Sequence, residues 1–238
     1  LDWLAVELQE STWSLKHLHR LIVLSETYGQ ASVTRADLKE TDPLNRWLAR
    51  QNRLRLDAEI LRDVALAASG QLDPTLGGPP VQPPQPAGLG AFTQNSRDWL
   101  PSTGAQRFRR GLYTRIQRST LHPALAVFDA PDSFTTCTRR LRSNTPLQAL
   151  TLLNDTQFHE LALHMARRMA AGPGPERERI SEAFFRCTTR RPAPEESERL
   201  WRLLRDERET AGAAAPPEAG WIAVARVLLN LDETLTRE

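Results

Sequence analysis

A cluster of arginines is the feature of this sequence best suited to chemistry. Between positions 107 and 142 there are eight arginines and only two acidic residues, Asp129 and Asp132. Because a guanidinium group is a planar fork of donors, such a segment can bind carboxylate, sulfate or phosphate groups. The alternative is that the arginines form ion pairs with an acidic helix elsewhere, such as residues 195–209 with five glutamates and one aspartate. Both interpretations stay open on the sequence alone.

If the arginines are not paired, they predict one ligand-binding cleft. Convergent polar groups that line a pocket are typical of ligand sites. Rings of Trp99, Tyr113 and His122 lie close enough in sequence to stack on a sugar or a base. The predicted cleft consists of Arg109, Arg110, Tyr113, His122, Asp129, Arg139, Arg140 and Asn144.

The two acidic residues also have the spacing of a carboxylate pair. Asp129 and Asp132 flank Ala130 and Pro131 in a predicted turn, and glycoside hydrolysis uses two carboxyl groups about 5 to 10 Å apart. The other interpretation is that Asp129 caps a backbone group or pairs with the arginines, while Asp132 begins the next turn. Whether the chain is an enzyme is therefore left open.

Metal and haem chemistry lack the spacing that they require. Covalent haem needs a Cys-x-x-Cys-His arrangement, whereas Cys137 and Cys187 are 50 residues apart. The histidines at positions 17 and 19, and those at 159 and 164, do not share a helix face as a metal-binding pair does. We predict no metal site and no cofactor in this chain.

A small β element and a long loop are predicted to position the cleft. From Phe108 to Ile116 the side chains alternate with the period of a strand. Before it, seven prolines lie between Gly70 and Gly104, which predicts a loop without regular structure. We expect the loop to cover the domain, since it offers apolar anchors at Leu89, Phe92, Trp99 and Leu100.

The rest of the chain has helical patterns. Residues 1–28 predict one or two helices with Ser14 as an N-cap, and Asp42 before a proline predicts a helix over 43–69 that ends at Gly70. Thr145, Pro146 and Gln148 form a capping box. Further helices are predicted at about 176–188, 194–210 and 218–231.

The helix that begins at Thr145 has one ambiguous point. Its apolar row contains Asn154, which is followed by Asp155. Either the helix breaks there and Asp155 caps a second helix, or Asn154 is a buried polar group that needs a partner.

The length and the net charge of the chain limit its possible architectures and partners. The chain has 238 residues with 40% hydrophobic residues and a net charge of +2, which gives no overall field for nucleic acid, and no apolar stretch is long enough for a membrane span. We predict a mainly α fold with one small β element, as a single domain over 1–238. The alternative is two subdomains, 1–69 and 105–238. The start at Leu1, inside an apolar pattern, suggests an N-terminally truncated piece of a larger protein.

Several segments together resemble a known family. They are RRGLYT (109–114), FDAPD (128–132), CTRR (137–140), NTPLQALTLLND (144–155), the opening 28 residues and the closing NLDETLTRE. The chain resembles a planctomycete-specific domain of unknown function, found C-terminal in large proteins that often carry cytochrome c domains.

The resemblance implies an extracytoplasmic or cell-envelope location, with neighbouring domains of the same polypeptide as partners. Any haem would lie in another domain. In such a compartment Cys137 and Cys187 could form a disulfide, or each could be a separate buried thiol.

Three functions remain open at this point. The first is a binding or scaffolding module for an anionic ligand such as an acidic polysaccharide. The second is a carbohydrate-active or redox-linked enzyme domain that works with a cytochrome c domain. The third is a purely structural domain that docks on its neighbour.

Overall fold

The fold is mainly α-helical, as predicted. A computed structural model describes residues 1–89 and 99–237. Over these residues the regular elements are α-helices, short 3₁₀-helical turns and one two-stranded sheet. Contacts divide the chain into unit 1, residues 1–54, and unit 2, residues 55–237. Whether the chain folds as one domain, or as two subdomains divided at the loop, stays a prediction.

Unit 1 begins with two short helices, as the sequence predicts. These are α1 (Asp2–Glu10) and α2 (Leu15–Val23). The Ser14 hydroxyl accepts a hydrogen bond from the His17 N–H at 3.3 Å, which confirms the predicted N-cap. Neither helix contains a buried residue, and the indole rings of Trp3 and Trp13 are exposed.

The predicted helix over 43–69 is wrong in its first part. The carboxylate of Asp42 accepts hydrogen bonds from the N–H groups of Arg46 and Trp47, both at 2.8 Å, and thereby closes a turn. Asn45 and Leu48 have φ angles of 53°, in the left-handed region that interrupts a helix. The helix in this region spans only Ala58–Ser69 and ends at Gly70, as predicted.

Unit 2 holds the remaining helices and the apolar core. The two-residue strands β1 (Leu54–Arg55) and β2 (Thr236–Arg237) form the small sheet. Trp221, Leu204 and Leu66 are among its most deeply buried side chains. The helices are α3 (Ala58–Ser69), α4 (Pro123–Val127), α5 (Pro146–Asn154), α6 (Thr156–Ala171), α7 (Glu176–Thr188), α8 (Pro194–Ala211), α9 (Ala219–Leu229) and α10 (Asp232–Leu235).

The caps near position 150 form largely as predicted. Thr145 Oγ1 accepts from the Gln148 N–H at 3.4 Å, and Asp155 Oδ1 accepts from the Gln157 N–H at 2.9 Å, so the helix breaks after Asn154 and Asp155 caps α6. The second half of the predicted capping box is wrong. The Gln148 side chain instead donates to Val127 O and Ser143 Oγ, both at 3.0 Å.

The predicted strand over 108–116 is also wrong. The segment consists of 3₁₀-helical turns at Gly104–Phe108 and Gly111–Tyr113, with isolated bridges from Arg109 to Asp73 and from Thr114 to Val81. The partner of this segment is the proline-rich loop. Because proline has no N–H to donate, a continuous ladder cannot form there.

The loop after Gly70 packs against the segment that follows it. Val81 is buried and pairs through its backbone with Tyr113 and Arg115, and Trp99 Nε1 donates to Pro83 O at 2.7 Å. Leu100 is exposed and is not the anchor that was predicted, while Phe92 lies outside the described residues.

Within residues 1–89 and 99–237, no helix is long and apolar enough to cross a membrane.

Candidate functional site

Helix α3 supplies the carboxylates that meet the predicted cleft arginines. Arg110 Nε lies 2.8 Å from Asp63 Oδ2. Both terminal nitrogens of Arg140 contact Glu59, at 2.7 and 3.1 Å. Burial alone would raise the pKa of Glu59, but the hydrogen bond from Arg140 holds this pKa below its usual value. These two arginines are therefore largely neutralised.

Two further arginines of the segment are paired in the same way. Arg142 Nη2 lies 3.6 Å from Asp57 Oδ1, and Arg107 Nη2 lies 2.7 Å from Glu160 Oε2. The carboxylates thus come from α3, its N-cap and α6, and not from residues 195–209. Among the described residues, no ion pair is formed by the three remaining exposed or half-exposed arginines, Arg115, Arg118 and Arg139.

Arg109 holds the loop instead of facing a cleft. It is buried, and its guanidinium donates to Gly77 O and Pro79 O. The same guanidinium lies 4.0 Å from the centre of the Tyr113 ring, whose hydroxyl accepts from the Gly77 N–H at 2.8 Å. The structure therefore brings these two predicted site residues together, around a backbone turn of the loop.

Arg62 is a buried polar residue that the sequence did not single out. Its guanidinium donates to Gln157 Oε1 and to the carbonyl oxygens of Arg107, at 2.7 Å, and of Arg109, at 3.3 Å. Burial lowers the pKa of Arg62 to about 10, so the group stays protonated at neutral pH. The spacing of the apolar residues in α3 does not indicate that Arg62 is buried.

His122 is buried and serves as a fastening point for the loop. Its Nδ1 accepts from the Ala124 N–H at 3.3 Å, so the proton resides on Nε2, which donates to Pro84 O at 3.1 Å. Burial lowers the pKa of His122, although the Pro84 carbonyl and the charge of Asp155 act in the opposite direction. The neutral imidazole is the form that fits this site.

This burial predicts a dependence of stability on pH. The unfolded chain binds a proton at His122 near pH ~6.5, whereas the folded chain resists it, so the free energy of unfolding falls as the pH drops below that value. Between about pH 7.5 and about pH 5.5, the wild type should lose about 1 kcal/mol more than His122→Asn. The variant keeps an acceptor for the Ala124 N–H. Urea unfolding at the two pH values measures this difference, and equal losses would contradict a buried neutral His122.

The carboxylates of Asp129 and Asp132 each accept hydrogen bonds from nearby residues. Asp129 Oδ2 accepts from the N–H and the hydroxyl of Ser143, both at 2.7 Å, and Asp132 Oδ1 accepts from the Phe134 N–H at 3.0 Å. Each carboxylate thus stabilises a turn, in line with the second interpretation of the sequence. Arg139 and Asn144 are exposed on the surface.

The cysteines are not joined. Both are free thiols, with Cys137 exposed and Cys187 buried in the core of unit 2. Burial raises the pKa of the Cys187 thiol to about 12, so this group behaves as a small apolar side chain. No cluster of three or more His, Cys, Asp or Glu residues able to hold a metal ion occurs in the described part of the chain.

A second location has stronger features of a ligand site. A groove of about 650 Å³ lies between α6 and α7. We call it the α6–α7 groove, with a floor of the buried residues Ala68, Met165, Met169 and Ala183 and with Arg168, Arg179, Arg186 and Arg191 around it. Its acidic lining residues are Glu178 and Glu182, which leaves an excess of two positive charges.

The arginines of the groove are only partly neutralised. Arg186 and Arg191 share one carboxylate, that of Glu182, at 3.1 and 3.2 Å. Arg179 donates to the carbonyl oxygens of Met169 and Ala170. Within the described ranges, the side chain of Arg168 forms no hydrogen bond and no ion pair, and it is exposed.

The described residues form a mainly helical fold in which three residues of the predicted cleft, Arg109, Tyr113 and His122, contact the backbone of the proline-rich loop. The model of one protein family, PSD1, described as a protein of unknown function (DUF1553), matches residues 1–204. The chain belongs to this family. No curated protein and no solved structure matches the chain.

Proposed function

We propose that this chain is a binding module for an anionic ligand, and that the α6–α7 groove is its site. The observation that carries the proposal is Arg168, an exposed arginine without an ionic partner in the described structure, at the edge of a groove with excess positive charge. An arginine in that state can form a bidentate hydrogen bond with a carboxylate, sulfate or phosphate group without first breaking an internal pair.

The groove supports this function better than the paired arginines of the predicted cleft do. There, Arg110 and Arg140 would have to leave Asp63 and Glu59 before they could bind a ligand. Removing one partner from a half-buried ion pair leaves the other charge uncompensated, which costs free energy. At Arg168 this cost is absent.

The wider context of the proposal comes from the resemblance described above. It supports an extracytoplasmic or cell-envelope location in a planctomycete and a larger polypeptide with neighbouring domains. A cytochrome c domain that carries haem would lie elsewhere in that polypeptide. In such a setting an acidic polysaccharide is one source of the anionic groups.

Two double variants that each remove two positive charges test the site. Arg168→Gln with Arg186→Gln should weaken binding of a heparin oligosaccharide about a hundredfold or more at low salt, because two charged hydrogen bonds are lost and each is worth about 1.5 to 3 kcal/mol. Arg140→Gln with Arg142→Gln should leave the affinity within about twofold, since these arginines are already paired. Calorimetric titration of the folded variants measures both. The reverse pattern would place the anion site at 107–142 and overturn the proposal.

A further inference from the structure

The lining of the α6–α7 groove also carries information about the rest of the ligand. Met165 and Met169 lie one turn apart on α6 with Arg168 beside them, and residues three and four apart share a helix face. Ala183 of α7 and Ala68 of α3 complete the apolar floor. A cationic head site and an apolar stripe are therefore adjacent.

The same lining is poorly suited to a sugar. No aromatic side chain is among the residues that line the groove in the described structure, so a sugar ring has no stacking surface there. Ser181 is the one uncharged polar side chain of that lining. A polysaccharide would thus meet charge at the edge of the groove but few partners for its hydroxyl groups.

We infer that the ligand of the α6–α7 groove is an amphiphilic organic anion, with its carboxylate on Arg168 and a linear apolar chain along Met165 and Met169. This inference rests on the proposed function and specifies the ligand class. Methionine suits such a ligand because its unbranched, polarisable side chain adapts to irregular apolar shapes. The groove volume of about 650 Å³ falls in the range of small-molecule sites.

A series of carboxylates of different chain length separates the contribution of the apolar chain to affinity from that of the carboxylate. Acetate, octanoate and dodecanoate, each below its critical micelle concentration, are titrated into the wild-type chain by calorimetry. The affinity should rise roughly twofold to fourfold for each added methylene, since a buried methylene contributes about 0.8 kcal/mol. Decyltrimethylammonium, which has a similar tail and the opposite charge, should not bind.

A single substitution tests whether the carboxylate of the ligand binds Arg168. Arg168→Gln should weaken dodecanoate binding about tenfold, because a charged hydrogen bond is lost. The matched control is Arg199→Gln, which removes an exposed arginine of α8 that has no ion pair in the described structure and does not line the groove. This control should bind as the wild type does.

The possible outcomes separate this inference from the proposed function. If affinity does not depend on chain length while heparin binding still requires Arg168, the anion site stands and the amphiphile is refuted. If neither dodecanoate nor heparin binds, the proposed function itself fails. If dodecanoate binds equally well to Arg168→Gln and to the wild type, the assigned head position is wrong and the inference is overturned.

Discussion

Gly111→Ala should destabilise the protein by about 3 kcal/mol, at the upper end of the cost of overpacking. A Cβ at this position would lie 2.7 Å from the Cα of Glu59, 2.8 Å from its carbonyl carbon and closer still to its carbonyl oxygen. These atoms belong to the backbone of the first turn of α3, so they cannot rotate away. The φ of Gly111 is not in the left-handed region, and the expected loss therefore comes from space alone.

Gly29→Ala is the matched control for that substitution. The added Cβ would be 3.6 Å from Ser25 O and 3.8 Å from Glu26 O, which is ordinary contact. Surface changes of this kind alter stability by about 0.5 kcal/mol or less. Urea unfolding of both variants measures the difference. A Gly111→Ala protein as stable as the control would show that the segment does not approach α3 as closely as described.

The close approach at Gly111 also orders the neighbouring ion pairs. The Gly111 N–H donates to Asp63 Oδ1, while Asp63 Oδ2 holds Arg110 and Glu59 holds Arg140. A shift of the segment away from α3 would thus lengthen several contacts together. The ion pair of Arg110 with Asp63 therefore depends on the close approach at Gly111.

Local sequence signals were sufficient at three helix starts where the predicted cap residue accepts a backbone hydrogen bond. Ser14, Thr145 and Asp155 all accept from the backbone N–H groups that their positions predict. The break between α5 and α6 could be anticipated for the same reason, because an aspartate side chain competes for backbone donors at a helix start.

Signals failed where a non-local partner decides the conformation. The alternation over 108–116 has the period of a strand, but its neighbour is a proline-rich loop that lacks most of the N–H groups a ladder needs. Likewise Leu48 adopts a left-handed φ of 53°, although the residue at this position is not a glycine and so does not indicate that conformation. The periodicity and composition of one segment do not show whether the neighbouring segment has backbone N–H groups to donate.

The candidate site illustrates the same limit for charges. Arg110 pairs with a carboxylate 47 residues away, and Arg140 with one 81 residues away. A partial signal existed, since Glu59 and Asp63 are four residues apart and share a face of α3. The α6–α7 groove had no such signal, because its arginines are dispersed over two helices and the segment after them.

Arg109→Met should release the loop after Gly70 and destabilise the fold by about 3 kcal/mol. The substitution removes the donors to Gly77 O and Pro79 O, and each buried carbonyl left without a partner costs about 1 to 3 kcal/mol. It also removes the cation from the face of Tyr113. Thermolysin cleaves before large apolar residues, so cleavage at Leu76 and Val81 should become faster, as mass spectrometry of the fragments can show.

Arg109→Lys separates the loss of charge from the loss of the fork. Lysine keeps the positive charge but carries a single ammonium group, so it cannot satisfy two carbonyl oxygens with the planar geometry of arginine. Its stability and cleavage rate should fall between those of the wild type and Arg109→Met. Cleavage of Arg109→Met no faster than the wild type would refute the fastening role.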